Sequence, residues 1–314
     1  MKNFADRLSE AIEIKGNPTV MGLDPLIEYI PQEILAYWNE HVEDKSMASA
    51  MAIFDFNRQL IDSVCEIVPA VKPQFAYYEL YGVHGMEALR RTIEYAKSKG
   101  LLVIADAKRN DIGPTASAYA NAILGDTVLI DQTKCAMFDA DAITLNAYLG
   151  IDGIKPFLDV AKAKGKGVYI LVRTSNPSAG DFQDMLMDDK KPLYERFANL
   201  TSEWGTDLIG ESGYSSVGAV VGATWPKQAS RLRELMPHTP ILVPGYGAQG
   251  GSGDSAAVNF DSSGKGAIVN ASRSLMCAYK KRTDLDPMHF AEATYDEAIR
   301  MRDELKDAIA RRMC

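Results

Sequence analysis

Short apolar runs alternate with amphipathic helical stretches along the 314-residue chain, and that alternation restricts the fold more than any other feature. The runs at 19–23, 70–75, 101–108, 140–146, 167–173, 217–222, 241–244 and 267–270 read as strands. Helical patterns follow at 86–99 (stopped by Gly100), 115–123, 154–162, 193–209, 228–235 and 288–311. An opening helix, 4–14, ends at Gly16-Asn17-Pro18, and a helical insertion, 28–69, with a polar turn at 40–45, separates the first two strands. A second insertion, 181–190, is acidic and Met-rich. About eight strand-then-helix units without a linker predict an α/β fold, a single-domain (β/α)8 TIM barrel over 1–314 with helical insertions and strands from roughly 19 to 270. Two Rossmann halves would need a mid-chain boundary, and none is visible.

In such a barrel, catalytic groups collect at the C-terminal ends of the strands. The third strand ends in Asp106-Ala-Lys108-Arg-Asn-Asp111. Side chains alternate along a strand, so Asp106 and Lys108 are expected on one face, and Asp111 follows where Asn-Asp-Ile-Gly-Pro breaks into a loop. Alone, this pattern is equally a strand-end salt bridge. Asp24 at the end of the first strand and Lys72 on the second add a further acid and lysine at the same mouth.

A net charge of −8 argues against general binding of nucleic acid or anionic membrane, while leaving room for a local anion site. No apolar run reaches membrane length, and Met1 to Leu8 lacks a signal-peptide core. Cys65, Cys135, Cys277 and Cys314 show neither metal nor disulfide spacing, so buried or idle thiols in a cytoplasmic protein are expected.

Gly245-Tyr-Gly247-Ala-Gln-Gly250 matches GxGxxG after a strand, but a Gly/Ser/Asp loop follows where a dinucleotide site needs a helix, and no acid is placed to hold a ribose. Gly264-Lys265-Gly266 lacks Walker spacing. The loop 244–266 instead suits a phosphate lid. Loops after strands seven and eight of a barrel commonly hold a phosphate, and Arg273 offers a planar fork for its oxygens.

Together these segments resemble the orotidine 5'-phosphate decarboxylases, in the longer branch found in many bacteria. The motifs are Gly22-Leu-Asp-Pro25, Lys72, Asp106-Ala-Lys108-Arg-Asn-Asp111-Ile-Gly-Pro-Thr115, Pro244 to Gly251 and Arg273-Ser274, spread over residues 19–275. One departure is Ser272, where the family usually has Gly before that Arg. The resemblance implies decarboxylation of orotidine monophosphate to UMP with neither metal nor other cofactor. It assigns Lys108 to protonation of the pyrimidine carbon, Asp106 to the substrate carboxylate, and Lys72 and Asp24 to ribose hydroxyls. Ser175 would meet the pyrimidine edge, Gln249 and Arg273 the phosphate. Asp111 and Thr115 would reach in from the other subunit of a homodimer.

The chemistry of the residues agrees with that assignment. Flanking acids favour a charged Lys108 and should raise its pKa, and an ammonium can stabilise a developing carbanion before giving it a proton. Opposite charges about 4 Å apart attract by roughly 4 kcal/mol at an effective dielectric near 20. Repulsion between Asp106 and the substrate carboxylate is a disputed source of rate. Three rivals stay open: a Schiff-base aldolase, whose lysine must be neutral; a magnesium-dependent sugar-phosphate decarboxylase or epimerase; and a non-catalytic nucleotide binder.

Overall fold

The structure is a computed structural model that describes residues 2–247 and 250–313. Eight parallel strands close into one barrel: β1 (Thr19–Leu23), β2 (Ala70–Pro73), β3 (Leu102–Arg109), β4 (Ala142–Leu145), β5 (Gly167–Arg173), β6 (Val217–Val221), β7 (Ile241–Val243) and β8 (Ala267–Ala271). Each strand pairs with its neighbours in sequence, and β8 returns to β1. Nearly every strand residue is buried, because helices cover the outside and side chains fill the inside, which is why the strands read as continuous apolar runs.

Two apolar cores result. The larger lies between barrel and helices and includes Ile53, Phe56, Leu60 and Ile61 of the helix Lys45–Val64, which with Gln32–His41 forms the first insertion. The smaller fills the barrel with Val20, Ile104, Tyr169, Leu242 and Ile268, and it is closed from below by Phe4 and Leu8 of the first helix, Phe4–Lys15. Phe4 meets Tyr169 edge-on at a centroid distance of 6.0 Å. Gly167 admits that plug, since a Cβ there would lie 2.3 Å from the Phe4 ring.

Three local features depart from the expectations. The chain after the glycine loop does not stay irregular to Gly266; it forms a five-residue helix, Gly253–Ala257, capped by reciprocal hydrogen bonds between Ser252 and Ser255. A two-stranded hairpin, Thr127–Val128 with Lys134–Cys135, sits between β3 and β4 and leaves Cys135 exposed. The helix expected over 193–209 stops at Trp204, followed by a single 3-10 turn, Thr206–Leu208. Cys277 is buried, and burial pushes its thiol up to about 11, so it is an idle thiol. Among the described residues no helix is long and apolar enough to cross a membrane.

Candidate active site

At the C-terminal mouth a cavity of about 570 Å³ is lined by Asp24, Lys72, Asp106, Lys108, Ser175 and Arg273. Six residues marked in the sequence, from five strand ends, thus share one wall. Asp106 is the hub. Its Oδ2 accepts from Lys72 Nζ at 2.6 Å and its Oδ1 from Lys108 Nζ at 2.6 Å. Thr144 Oγ1 donates to the same Oδ1 at 2.9 Å and accepts the Lys108 backbone N–H at 3.0 Å.

The strand that delivers these groups is irregular. Ala105 lies opposite Ile143 but Arg109 opposite Leu145, so β3 advances four residues while β4 advances two. Within that interval Lys108 adopts φ 46°, a left-handed backbone rarely seen outside glycine. Such local strain persists where surrounding contacts over-determine it, and here the Thr144 and Asp106 bonds do so. Simple alternation along a flat strand would not have given this geometry.

Burial alone would push the Asp106 carboxyl up, but the Lys72 and Lys108 charges hold it well below the usual carboxylate range. Lys72 is buried too, which opposes its charge, yet Asp106 and then Asp24 raise its pKa. The signs fix a pH window. The depressed Asp106 stabilises the fold above the ordinary value of 3.8 and loses that contribution as pH falls through its folded value. The raised Lys72 contributes fully below 10.5 and loses its contribution as pH rises through its own folded value. We expect the wild-type urea midpoint to decline as pH drops below 3.8, and Asp106→Asn both to lower neutral-pH stability and to shrink that decline. Parallel pH profiles for the two proteins would contradict this network.

Asp24 follows β1, and its Oδ1 is buried without a hydrogen-bond partner among the described residues. A polar ligand group is the kind of partner it lacks. Ser175 stands on the loop after β5, held by Thr224 Oγ1 donating to its carbonyl at 3.3 Å. Arg273 opens the turn Arg273–Met276 after β8. The departure at Ser272 is accommodated: its φ of −110° needs no glycine, and Gly22 opposite leaves space, since a Cβ there would fall 1.9 Å from Ser272 Oγ. Gln249 lies outside the described residues.

Asp111 and Thr115 are not brought into this cavity. Asp111 turns its Oδ1 onto the Ile112 N–H at 2.8 Å, and Thr115 is exposed near the start of the helix Gly113–Ile123. Lys108 therefore has one acid beside it within the chain, Asp106, rather than an acid on either side. Polar residues at the site that went unmarked in the sequence include Thr144, Gln74 and Asn270. Thr144 did carry a signal, as a polar residue inside an apolar strand.

The profile of the Orotidine 5'-phosphate decarboxylase / HUMPS family matches residues 48–286. A relative from Caldicellulosiruptor saccharolyticus named orotidine 5'-phosphate decarboxylase is 42% identical over 310 residues, which cover 99% of this chain and 100% of that one. A crystal structure from Toxoplasma gondii superposes with a TM-score of 0.79 at 29% identity, covering 99% of both chains. The Leishmania donovani OMP decarboxylase gives 0.70 at 28% identity, covering 96% of this chain and 99% of that one. With its closed barrel and its Asp106 hub, the chain belongs to the orotidine 5'-phosphate decarboxylase / HUMPS family.

Proposed function

We propose that this chain decarboxylates orotidine 5'-monophosphate to UMP, the last step of de novo pyrimidine synthesis. The observation that carries the reading is the Lys72–Asp106–Lys108 network at the mouth of a barrel of this family. The bond from the pyrimidine ring to its carboxylate breaks, carbon dioxide leaves, and the electron pair stays on the ring carbon. Lys108 stabilises that charge and supplies the proton; Asp106 fixes where the ammonium points. Asp24 and Lys72 serve the ribose, Ser175 the pyrimidine, Gln249 and Arg273 the phosphate. The working form is a cytoplasmic homodimer in which Asp111 and Thr115 act on the partner's site. Its support is that neither residue lines its own chain's cavity while both are solvent-accessible on the rim.

Loss of orotidine monophosphate absorbance on adding purified protein tests the reaction, and turnover should persist in EDTA. Activity that chelator abolishes would favour the magnesium-dependent rival. Arg273→Ala should lower kcat/KM for the nucleotide roughly a hundredfold or more, as loss of charged hydrogen bonds does, and much less for the phosphate-free nucleoside. Equal losses on both substrates would remove Arg273 from the phosphate site.

A further inference from the structure

Behind the glycine loop runs the last helix, Phe290–Met313, and one of its side chains grips the loop at both ends. Glu304 Oε2 accepts from the Tyr246 hydroxyl at 2.6 Å, and Oε1 from the Gly253 backbone N–H at 2.8 Å. Between these two stems the chain is tied across. Gly247 N–H donates to the Gly251 carbonyl at 2.8 Å, and Gly251 N–H to the Gly245 carbonyl at 3.0 Å. Gly253 has to be glycine for this contact, since a Cβ would lie 2.9 Å from Glu304 Oε1 and 3.0 Å from its Cγ. Arg300, one turn earlier, donates to Glu304 Oε2 at 2.8 Å and so fixes the carboxylate from its outer side. Burial opposes the charge on Glu304, but the Tyr246, Gly253 and Arg300 bonds outweigh it and keep the group ionised.

Gly245, Gly247 and Gly250 all have positive φ, at 95°, 69° and 91°. Backbone at such glycines has wide freedom to lose when it orders around a ligand. An anchor at both stems reduces that loss, and Tyr246 and Gly245 line the cavity, so the first stem forms part of the wall that would meet a ligand. We propose that Glu304 is a positioning residue for phosphate binding, holding Tyr246 and Gly253 so that the backbone at 245–247 and 250–253 is preset for the nucleotide's phosphate. The inference rests on the decarboxylase reading above, and Glu304 itself touches no reacting atom.

The test compares two competitive inhibitors that differ only in the phosphate, UMP and uridine, against orotidine monophosphate turnover. Glu304→Ala should raise the inhibition constant of UMP about tenfold to a hundredfold while that of uridine stays within about twofold. Tyr246→Phe, which removes only a hydroxyl, should lower the preference for UMP over uridine in the same direction and by less. Glu304→Gln should recover part of the loss, because its carbonyl can accept from Gly253 and its amide can donate to the Tyr246 oxygen, while that amide nitrogen can no longer accept from Arg300. Equal weakening of both inhibitors, no change for UMP, or no recovery with glutamine would each overturn the anchor. Should the alanine variant fail to fold, Tyr246→Phe decides by the same comparison. Wild-type protein inert toward orotidine monophosphate would instead remove the decarboxylase reading, and the anchor with it.

Discussion

Lys108→Ala should cost at least about a thousandfold in kcat, the combined scale of losing a general acid and a preorganised charge, yet leave the fold nearly as stable as before. The side chain of Lys108 is 45% exposed, so its removal empties no core space. Asp106 keeps its bond to buried Lys72 and its bond from Thr144. The complementary variants separate catalysis from stability. Asp106→Ala would strand the Lys72 ammonium in a buried site, and Lys72→Ala would leave buried Asp106 with half-exposed Lys108 as its charged partner. Breaking a buried pair from one side costs about 3–5 kcal/mol. Urea titration alongside turnover should therefore place Lys108→Ala near wild-type stability, well apart from Asp106→Ala. Full activity in Lys108→Ala would end the proposed mechanism.

Mixing two dead proteins should produce a live one. Lys108→Ala and Asp111→Ala, each expected to be nearly inactive alone, are combined and allowed to exchange subunits. If every site takes Lys108 from one chain and Asp111 from the other, each mixed dimer has one doubly altered site and one intact site. At equal mixing half the dimers are mixed, so about a quarter of all sites recover under two-fold symmetry. The surface beside Asp111 suits such a partner: Ile112, Tyr148, Leu149 and Ile151 are all exposed apolar residues. If both residues serve one chain, no ratio can rebuild a site. No recovery, with exchange proven by an independent label, would return Asp111 to its own chain's chemistry.

Strand positions were legible because parallel strands buried on both faces leave an unmistakable apolar run, and β5 begins and ends where its run does. The charged residues at strand ends were legible for the opposite reason, as polar groups where the pattern forbids them. Thr144 was harder, since its role appears only when β4 is laid beside β3. The left-handed turn at Lys108 was not legible at all. It depends on a register slip between two strands separated by a helix and a hairpin, and no local propensity encodes that. Ser272 shows the same limit. Its tolerance depends on the missing side chain of Gly22, 250 residues earlier in the sequence.

The Phe4–Leu8 plug gives this barrel an awkward birth order. The first helix leaves the ribosome before any strand, but the chamber it stoppers needs residues as late as Ile268. Until β8 emerges and pairs with β1, the apolar face of that helix has no complete seat, and the nascent chain carries it exposed through most of synthesis. Contacts spanning so much sequence are slow to form, and the complete seat for this helix requires the pairing of β8 with β1.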